Sequence, residues 1–294
     1  MSTLTPAATD ARDILVVNSQ VVRGSVGGRV TVFALERLGH RVWFLPTILL
    51  PWNPDEGRGH RHVQDDAGFD ALAENLITAD LLPRIGAVVS GYLGSPAQAA
   101  AVARLVAAVR RANPRALYLC DPISGDNGDL YVPPETAAAV RDTLLPLADV
   151  ATPNLFELQW MSGRRIESEA EAIAAARALG PQRVLVTSAP ALRRNATCNL
   201  LVTPRATIAA EHGLVPNAPH GTGDLMAAAF TAALLAGLDD ESALMRSAAT
   251  VFEMVARSVK RRARDLLLAD EQSSLVNPMA LVSCRRVLDA PLRA

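Results

Sequence analysis

The chain has 294 residues, half of them apolar and 4% aromatic, with 29 Lys and Arg against 30 Asp and Glu and a formal net charge of −1. Near-neutrality argues against nucleic acid or a membrane surface as partner, and the apolar content is enough for a sizeable core. Three scattered cysteines (Cys120, Cys198, Cys284) support neither a disulfide framework nor a zinc site. The polar first residues lack an apolar signal core and no apolar run reaches the ~18 residues of a membrane span, so a cytoplasmic protein is expected.

In chain order, ILVVN (residues 14–18) reads as a buried strand, short, β-branched and bounded by polar residues. Residues 24–38 place Val26, Val30, Phe33 and Leu38 at helical spacing, with Gly39 as the stop. RVWFLP (residues 41–46) reads as a second strand. Residues 50–66 carry Pro, Gly, His and Asp without periodicity; a loop this long in a compact enzyme is functional or mobile, and closure over a substrate is expected of it. A helix at 69–79, a strand at 85–90, an Ala-rich helix at 95–111 and a strand at 116–120 follow. After a loop at 121–131 come a helix at 134–144, a short strand at 149–151, helices at 155–161 and 168–179, and a strand at 183–188. Runs 197–202 and 206–210 pair as a hairpin in this reading, and two long helices follow residue 221. Such alternation predicts an open, mostly parallel sheet with helices on both faces. One domain spanning 1–294 is expected, with residues 1–12 and the last ~15 poorly ordered. Ligands in such folds bind beyond the C-terminal strand ends.

The most informative stretch is Pro219-His220-Gly221-Thr222-Gly223-Asp224-Leu225, followed by the apolar run MAAAFTAALLAG. The first N–H groups of a helix lack internal partners and sit at its positive dipole end, and glycines let an anion approach them closely. Asp224 does not help hold an anion, so it points to a different role, that of taking a proton from a nucleophile. The combination describes phosphoryl transfer to an alcohol; the plain alternative is a glycine turn with an acidic first helical turn. Lys260 is the only lysine and no GxxxxGK[ST] is present, which disfavours a P-loop and a Schiff-base cofactor. The basic run at residues 257–264 reads as a solvated helix face.

Other polar clusters fall at strand ends. Ser19, beside Gln20, is a turn residue or a hydroxyl aimed at a small molecule. Thr47 follows the second strand. Tyr92, between Gly91 and Gly94, packs in a turn or walls an aromatic ligand. Asp121 and Asp126 suit a hydrated Mg²⁺ bound to phosphates, or form simple Asx turns. Asn154 and Glu157 make an N-cap and its N3 partner, which explains both structurally; the functional alternative is a Glu orienting metal-bound water. Thr187 and Ser188 close a later strand, within reach of a nucleotide phosphate. His60 and His62 are expected in solvent, and His220 precedes the glycine turn. No Cys/His cluster or nucleophile elbow is present.

Assembled in order, SQVVRGSVGGR, GYLGS, YLCDPISGDNGDLYV, ATPNLFELQWMSG, VLVTS, HGTGDLMAAAF and LVNP resemble the pyridoxal kinases of the ribokinase-like superfamily, from Ile14 to about residue 278. The resemblance implies a ribokinase-like three-layer α/β/α fold and a homodimer. It also implies MgATP-dependent phosphorylation of the 5′-hydroxymethyl of pyridoxal, and often of pyridoxine and pyridoxamine, in vitamin B6 salvage. It makes Asp224 the base and Gly221, Thr222 and Gly223 the anion hole. Asp121, Asp126 and Glu157 lie near metal ions, Thr152 and Thr187 near a monovalent cation such as K⁺. Asn154, Thr187 and Ser188 serve the nucleotide, and Ser19, Thr47 and Tyr92 touch the vitamer. Departures from the family pattern are Gln20 for His, Gly28 for Asn, Asn53 for His, Asp55-Glu56 for Gly-His, and Ser124 for Met. They are expected to leave the phosphate machinery intact and to gather on the vitamer side. Two other readings stay open: a kinase for another hydroxymethyl heterocycle such as hydroxymethylpyrimidine, or a non-catalytic binder of B6 vitamers.

Overall fold

The computed structural model describes residues 13–53, 56–57 and 59–288. Strand β1 (Asp13–Val21) leads to helix α1 (Gly28–Arg37), then β2 (Val42–Leu50), β3 (His62–Val63) and α2 (Asp66–Ile77). β4 (Ile85–Ser90), α3 (Pro96–Ala112) and β5 (Leu117–Cys120) follow, then the small hairpin β6 (Gly125–Asp126) and β7 (Asp129–Leu130) and helix α4 (Pro134–Ala139). Next come β8 (Val150–Ala151), α5 (Leu155–Ser162), α6 (Glu169–Ala178), β9 (Arg183–Ala189), β10 (Ala196–Val202) and β11 (Thr207–Gly213). The chain closes with α7 (Thr222–Leu235), α8 (Asp240–Lys260), α9 (Gln272–Val276) and β12 (Ser283–Val287).

Ten strands form one sheet in the order β12-β11-β10-β9-β8-β5-β4-β1-β2-β3. From β9 to β2 the pairings are parallel, and the expected β10–β11 hairpin is antiparallel, with Val202 opposite Thr207. β1 shows why its sequence reads as a continuous apolar run: a central parallel strand is covered on both faces. Ile14 and Val16 pack into the layer of α1, α7 and α8, whereas Leu15 and Val17 pack into the layer of α2 and α3. Among the described residues no helix is long and apolar enough to cross a membrane.

Four sequence expectations shift. β1 runs on to Val21 and β2 to Leu50, so Ser19, Gln20 and Thr47 lie within strands rather than after them. Pro46 disguises the continuation; it is tolerated because β3 pairs only with Ile48 and Leu49, leaving β2 an edge at Pro46. Helix α1 starts at Gly28, because Gly27 at φ 60° breaks helical geometry and leaves residues 24–27 as a loop. The 50–66 segment contains β3, although Pro54, Asp55 and Arg58 lie outside the described residues, as do residues 1–12 and 289–294. Residues 283–287, expected to be poorly ordered, instead add β12 to the outer edge of β11.

Helix α7 sets the site. Residues from Leu225 to Ala233 are all buried, so the helix is a central core element, while its first residues reach the surface, with Gly223 exposed. Its N-cap, Gly221, has φ 88°, and a Cβ there would lie 2.1 Å from the Ser25 carbonyl oxygen. Only glycine lets the loop after β1 and the start of α7 approach this closely.

Candidate active site

Asp224 is the third residue of α7 and is 8% exposed. Its Oδ1 accepts from Asn18 Nδ2 at 3.0 Å and its Oδ2 from the Gly27 N–H at 2.8 Å. Burial raises the pKa of this carboxyl, and the two hydrogen bonds, which favour the charged form, oppose the rise. The Gly27 N–H reaches it because a glycine at 27 lets the loop lie against Ser19, whose Oγ stands 2.2 Å from where a Cβ would be.

On one side of Asp224 the expected substrate residues come together. Asn18 Oδ1 accepts from the N–H of Ser19 at 2.8 Å and of Tyr92 at 3.0 Å. Thr47 is fully buried, and its Oγ1 donates to the Tyr92 carbonyl at 2.7 Å. Its hydroxyl proton is thus spent on shaping the Tyr92 turn. Tyr92 packs in an apolar cluster with Val21, Ile48, Leu50 and Val132, and its phenol oxygen accepts from Arg61 Nη2 at 2.6 Å. Arg61 belongs to the segment before β3, so that segment rests on the substrate side.

Behind Asp224 lies a group of buried acids. Asp121 has its pKa pushed well above the usual carboxylate range, first by burial and then by the charges of Glu157 and Asp224. Glu157 is raised to about 7 by burial, despite N–H donors from Asn154, Ser124 and Gly125. Its Oε1 accepts from Ser124 N at 2.7 Å and its Oε2 from Asn154 N at 2.9 Å. Asn154 Oδ1 accepts from Glu157 N at 2.8 Å, completing the capping box of α5. The cap and a functional acid therefore coexist in the same pair. Asp126 stands apart: it is exposed on the β6–β7 hairpin, and its Oδ1 accepts from Asn127 N at 2.8 Å. It does not pair with Asp121, although its charge still adds to the raised pKa of Glu157. Ser124 Oγ is buried without a hydrogen-bond partner among the described residues, and the Thr152 hydroxyl lies against Asp121, where it opposes the rise in that carboxyl's pKa. Buried acids with raised pKa values beside an unpaired oxygen fit a cation. Ser124, one of the departures from the family pattern, meets Glu157 through its backbone N–H.

On the other side of the α7 N-terminus a cleft of about 660 Å³ opens, lined by Thr187, Ser188, Thr222 and Gly223 together with residues of β10, β11 and α8. Ser188 adopts φ 54°, which turns the chain at the cleft edge. Asn154 does not line the cleft but bridges to Thr187 beside it. One wall is His212 stacked on Phe252, with centroids 4.6 Å apart and planes 29° from parallel. Burial lowers the pKa of His212, so the neutral ring is favoured. His60, His62 and His220 are exposed, and Lys260 ends α8 in solvent. In the basic run around it, Arg257 and Arg261 pair with Glu271 at the surface.

Sequence reasoning missed Asn18, Gly27, Arg61 and the wall formed by His212 and Phe252. Asn18 gave one signal: it is the polar residue that ends an otherwise apolar strand. The cleft wall gave none, because the cleft's lining residues are scattered over three strands, a loop and two helices.

The mostly parallel sheet with helices on both faces, and a glycine-led helix N-terminus at its strand ends, place the chain in the ribokinase-like class. The family model described as phosphomethylpyrimidine kinase matches residues 71–266. Pyridoxal kinase PdxY of Deinococcus radiodurans is 34% identical over 301 residues, covering 98% of this chain and 100% of the relative. The structure of pyridoxal kinase from Leishmania donovani in complex with ADP superposes with a TM-score of 0.87 at 26% identity, over 94% of this chain and 99% of that one. The same enzyme in complex with ADP and pyridoxine gives 0.88 at 26%, over 95% and 100%. The chain belongs to the pyridoxal kinase family.

Proposed function

We propose that the chain is a kinase that transfers the γ-phosphoryl group of ATP to the 5′-hydroxymethyl oxygen of pyridoxal, and of pyridoxine and pyridoxamine, in pyridoxal 5′-phosphate salvage. The observation that carries this reading is Asp224. It is a buried carboxylate held at the N-terminus of α7, between the Ser19–Tyr92 side and the Thr222–Gly223 cleft. Near-full-length similarity to PdxY supports the substrate.

Asp224 accepts the hydroxyl proton as the alcohol oxygen attacks the γ-phosphorus. The new P–O bond forms as the bond to the β–γ bridging oxygen breaks, and ADP leaves with that electron pair. The free N–H groups at the start of α7, from Gly221, Thr222 and Gly223, face the charge that builds on the transferred group. The neutral wall of His212 and Phe252 offers the base of the nucleotide an apolar face. Asp121 and Glu157, with Asp126 at the rim, would hold Mg²⁺ through water, and Thr152 and Thr187 would serve K⁺, as the family resemblance implies. Bound there, the cations would neutralise phosphate charge and permit both buried acids to ionise. The reading extends to a cytoplasmic homodimer, supported by the family resemblance; sedimentation at the 31.2 kDa of one chain would count against the dimer.

Asp224→Asn tests the reading. Loss of a positioned base costs about 10²–10⁴-fold in rate, so kcat falls by that factor while ADP still binds; near-normal turnover removes Asp224 from the role. The matching family model named for phosphomethylpyrimidine kinase favours a second substrate, hydroxymethylpyrimidine. ATP consumption measured with pyridoxal, pyridoxine, pyridoxamine and hydroxymethylpyrimidine separates the two, and no consumption with any of them leaves a vitamer-binding protein.

A further inference from the structure

The side chain of Asn18 is 2% exposed and makes three hydrogen bonds. Its amide orientation follows from them. Two backbone N–H groups, from Ser19 and Tyr92, converge on one end of the amide, so that end must be the oxygen. The nitrogen is thereby turned to Asp224 Oδ1 at 3.0 Å. The position is tight: a Cβ on Gly91 would lie 2.5 Å from Asn18 Nδ2. Only glycine at 91 therefore leaves room for this amide beside the carboxylate.

We propose that Asn18 is the positioning residue of the phosphoryl-transfer base. It fixes one oxygen of Asp224 through Nδ2 while the Gly27 N–H fixes the other, so the carboxylate plane is set before substrate arrives. Through Oδ1 it ties that plane to the backbone of Ser19 and Tyr92, the two residues that flank the alcohol. The distance between the alcohol oxygen and its proton acceptor is therefore set by one rigid amide. A base held in place this way contributes to turnover rather than to affinity, because the geometry matters when the proton moves. The proposal rests on Asp224 being the base.

Asn18→Asp isolates the contact. Aspartate has the same shape and still accepts from Ser19 N and Tyr92 N, but it presents an oxygen instead of a donor to Asp224. Two carboxylate oxygens at this separation compete for one proton, and the base is no longer free. Turnover with pyridoxal and ATP is measured for Asn18→Asp, Asp224→Asn and the double variant, together with KM for pyridoxal and the dissociation constant of ADP. In the double variant the amide introduced at position 224 replaces the lost donor, so the pair is complementary again.

The expected result is a fall in kcat of about 10²-fold for Asn18→Asp, with KM and ADP affinity within about threefold of the parent and no further fall when the change is added to Asp224→Asn. A folded Asn18→Asp with kcat within about threefold of the parent overturns the proposal. So does an equal loss in both backgrounds, or a loss carried by KM or ADP affinity, each of which marks a merely structural residue. If Asp224→Asn itself keeps activity, the base assignment fails, and the proposal fails with it for that separate reason. Should Asn18→Asp not fold, Asn18→Ser, which is too short to reach Asp224, is read in the same cycle.

Discussion

Glu157 provides a quantitative test of the acid cluster. Its carboxyl rises from the ordinary 4.5 to about 7 because it is buried. A shift of roughly 2.5 units at 1.36 kcal/mol per unit is roughly 3 kcal/mol. The sign follows from proton counting. Between pH 4.5 and about 7 the folded protein holds a proton on Glu157 that the unfolded chain has released, so stability falls as pH rises. The contribution is complete below pH 4.5, is lost through pH 7 and is flat above it. Glu157→Gln removes this titration. The amide keeps one acceptor oxygen but turns an N–H₂ group toward one of the backbone donors that Glu157 now satisfies, at Ser124 or Asn154, which costs about 1–3 kcal/mol. The variant is therefore less stable than the parent at pH 4.5, and the gap closes or reverses by pH 8. Urea unfolding from pH 4.5 to 8 without divalent cation, plotted as the difference between the two proteins, should slope by roughly 3 kcal/mol. Asp224 titrates in both proteins, whereas Asp121, whose pKa the Glu157 charge helps to raise, loses that charge in the variant, so the slope reports the Glu157–Asp121 pair. Adding Mg²⁺ at pH 8 should stabilise the parent more than the variant. A difference that stays constant with pH would show that Glu157 is ionised throughout and would end the cation argument built on it.

Gly221→Ala places a methyl group into the Ser25 carbonyl oxygen at positive φ; a fall in stability of about 2–4 kcal/mol in urea is expected from strain and overpacking, along with loss of turnover. Phe252→Ala removes the stack with His212, an interaction worth about 1 kcal/mol, so ADP should bind several-fold more weakly by calorimetry while KM for pyridoxal stays unchanged. The segment before β3 reaches Tyr92 through Arg61; limited proteolysis at residues 50–66 should slow when pyridoxal is bound, and equal cleavage with and without it would count against closure.

The legible part of the fold was whatever local chemistry dictates. The alternation of apolar strands and helices produced the sheet, and the Gly221–Asp224 stretch produced the cradle, because a helix start and its glycine cap are encoded within a few residues. What escaped was set by tertiary contacts. Asn18 reads as the polar end of a strand until α7, about 200 residues later, brings Asp224 to it. The continuation of β2 past Pro46 is legible only once that strand is known to border the sheet at that point. The nucleotide cleft is a space between elements, so its walls carry no motif.

The departures from the family pattern illustrate the same divide. Read as sequence, they are expected to gather on the vitamer side and its flanking loop. In the fold, Gly28 is a packing position: a Cβ there would stand 2.3 Å from the Phe44 ring and 2.9 Å from the Ser19 carbonyl oxygen. Phe44 occupies the volume a larger residue at 28 would need. Ser124 donates its backbone N–H to Glu157 and leaves a buried hydroxyl beside the acids. Gln20 bonds the Val21 carbonyl within β1. In the 50–66 segment, Arg61 holds the Tyr92 hydroxyl, a contact that ties this segment to the turn after β4.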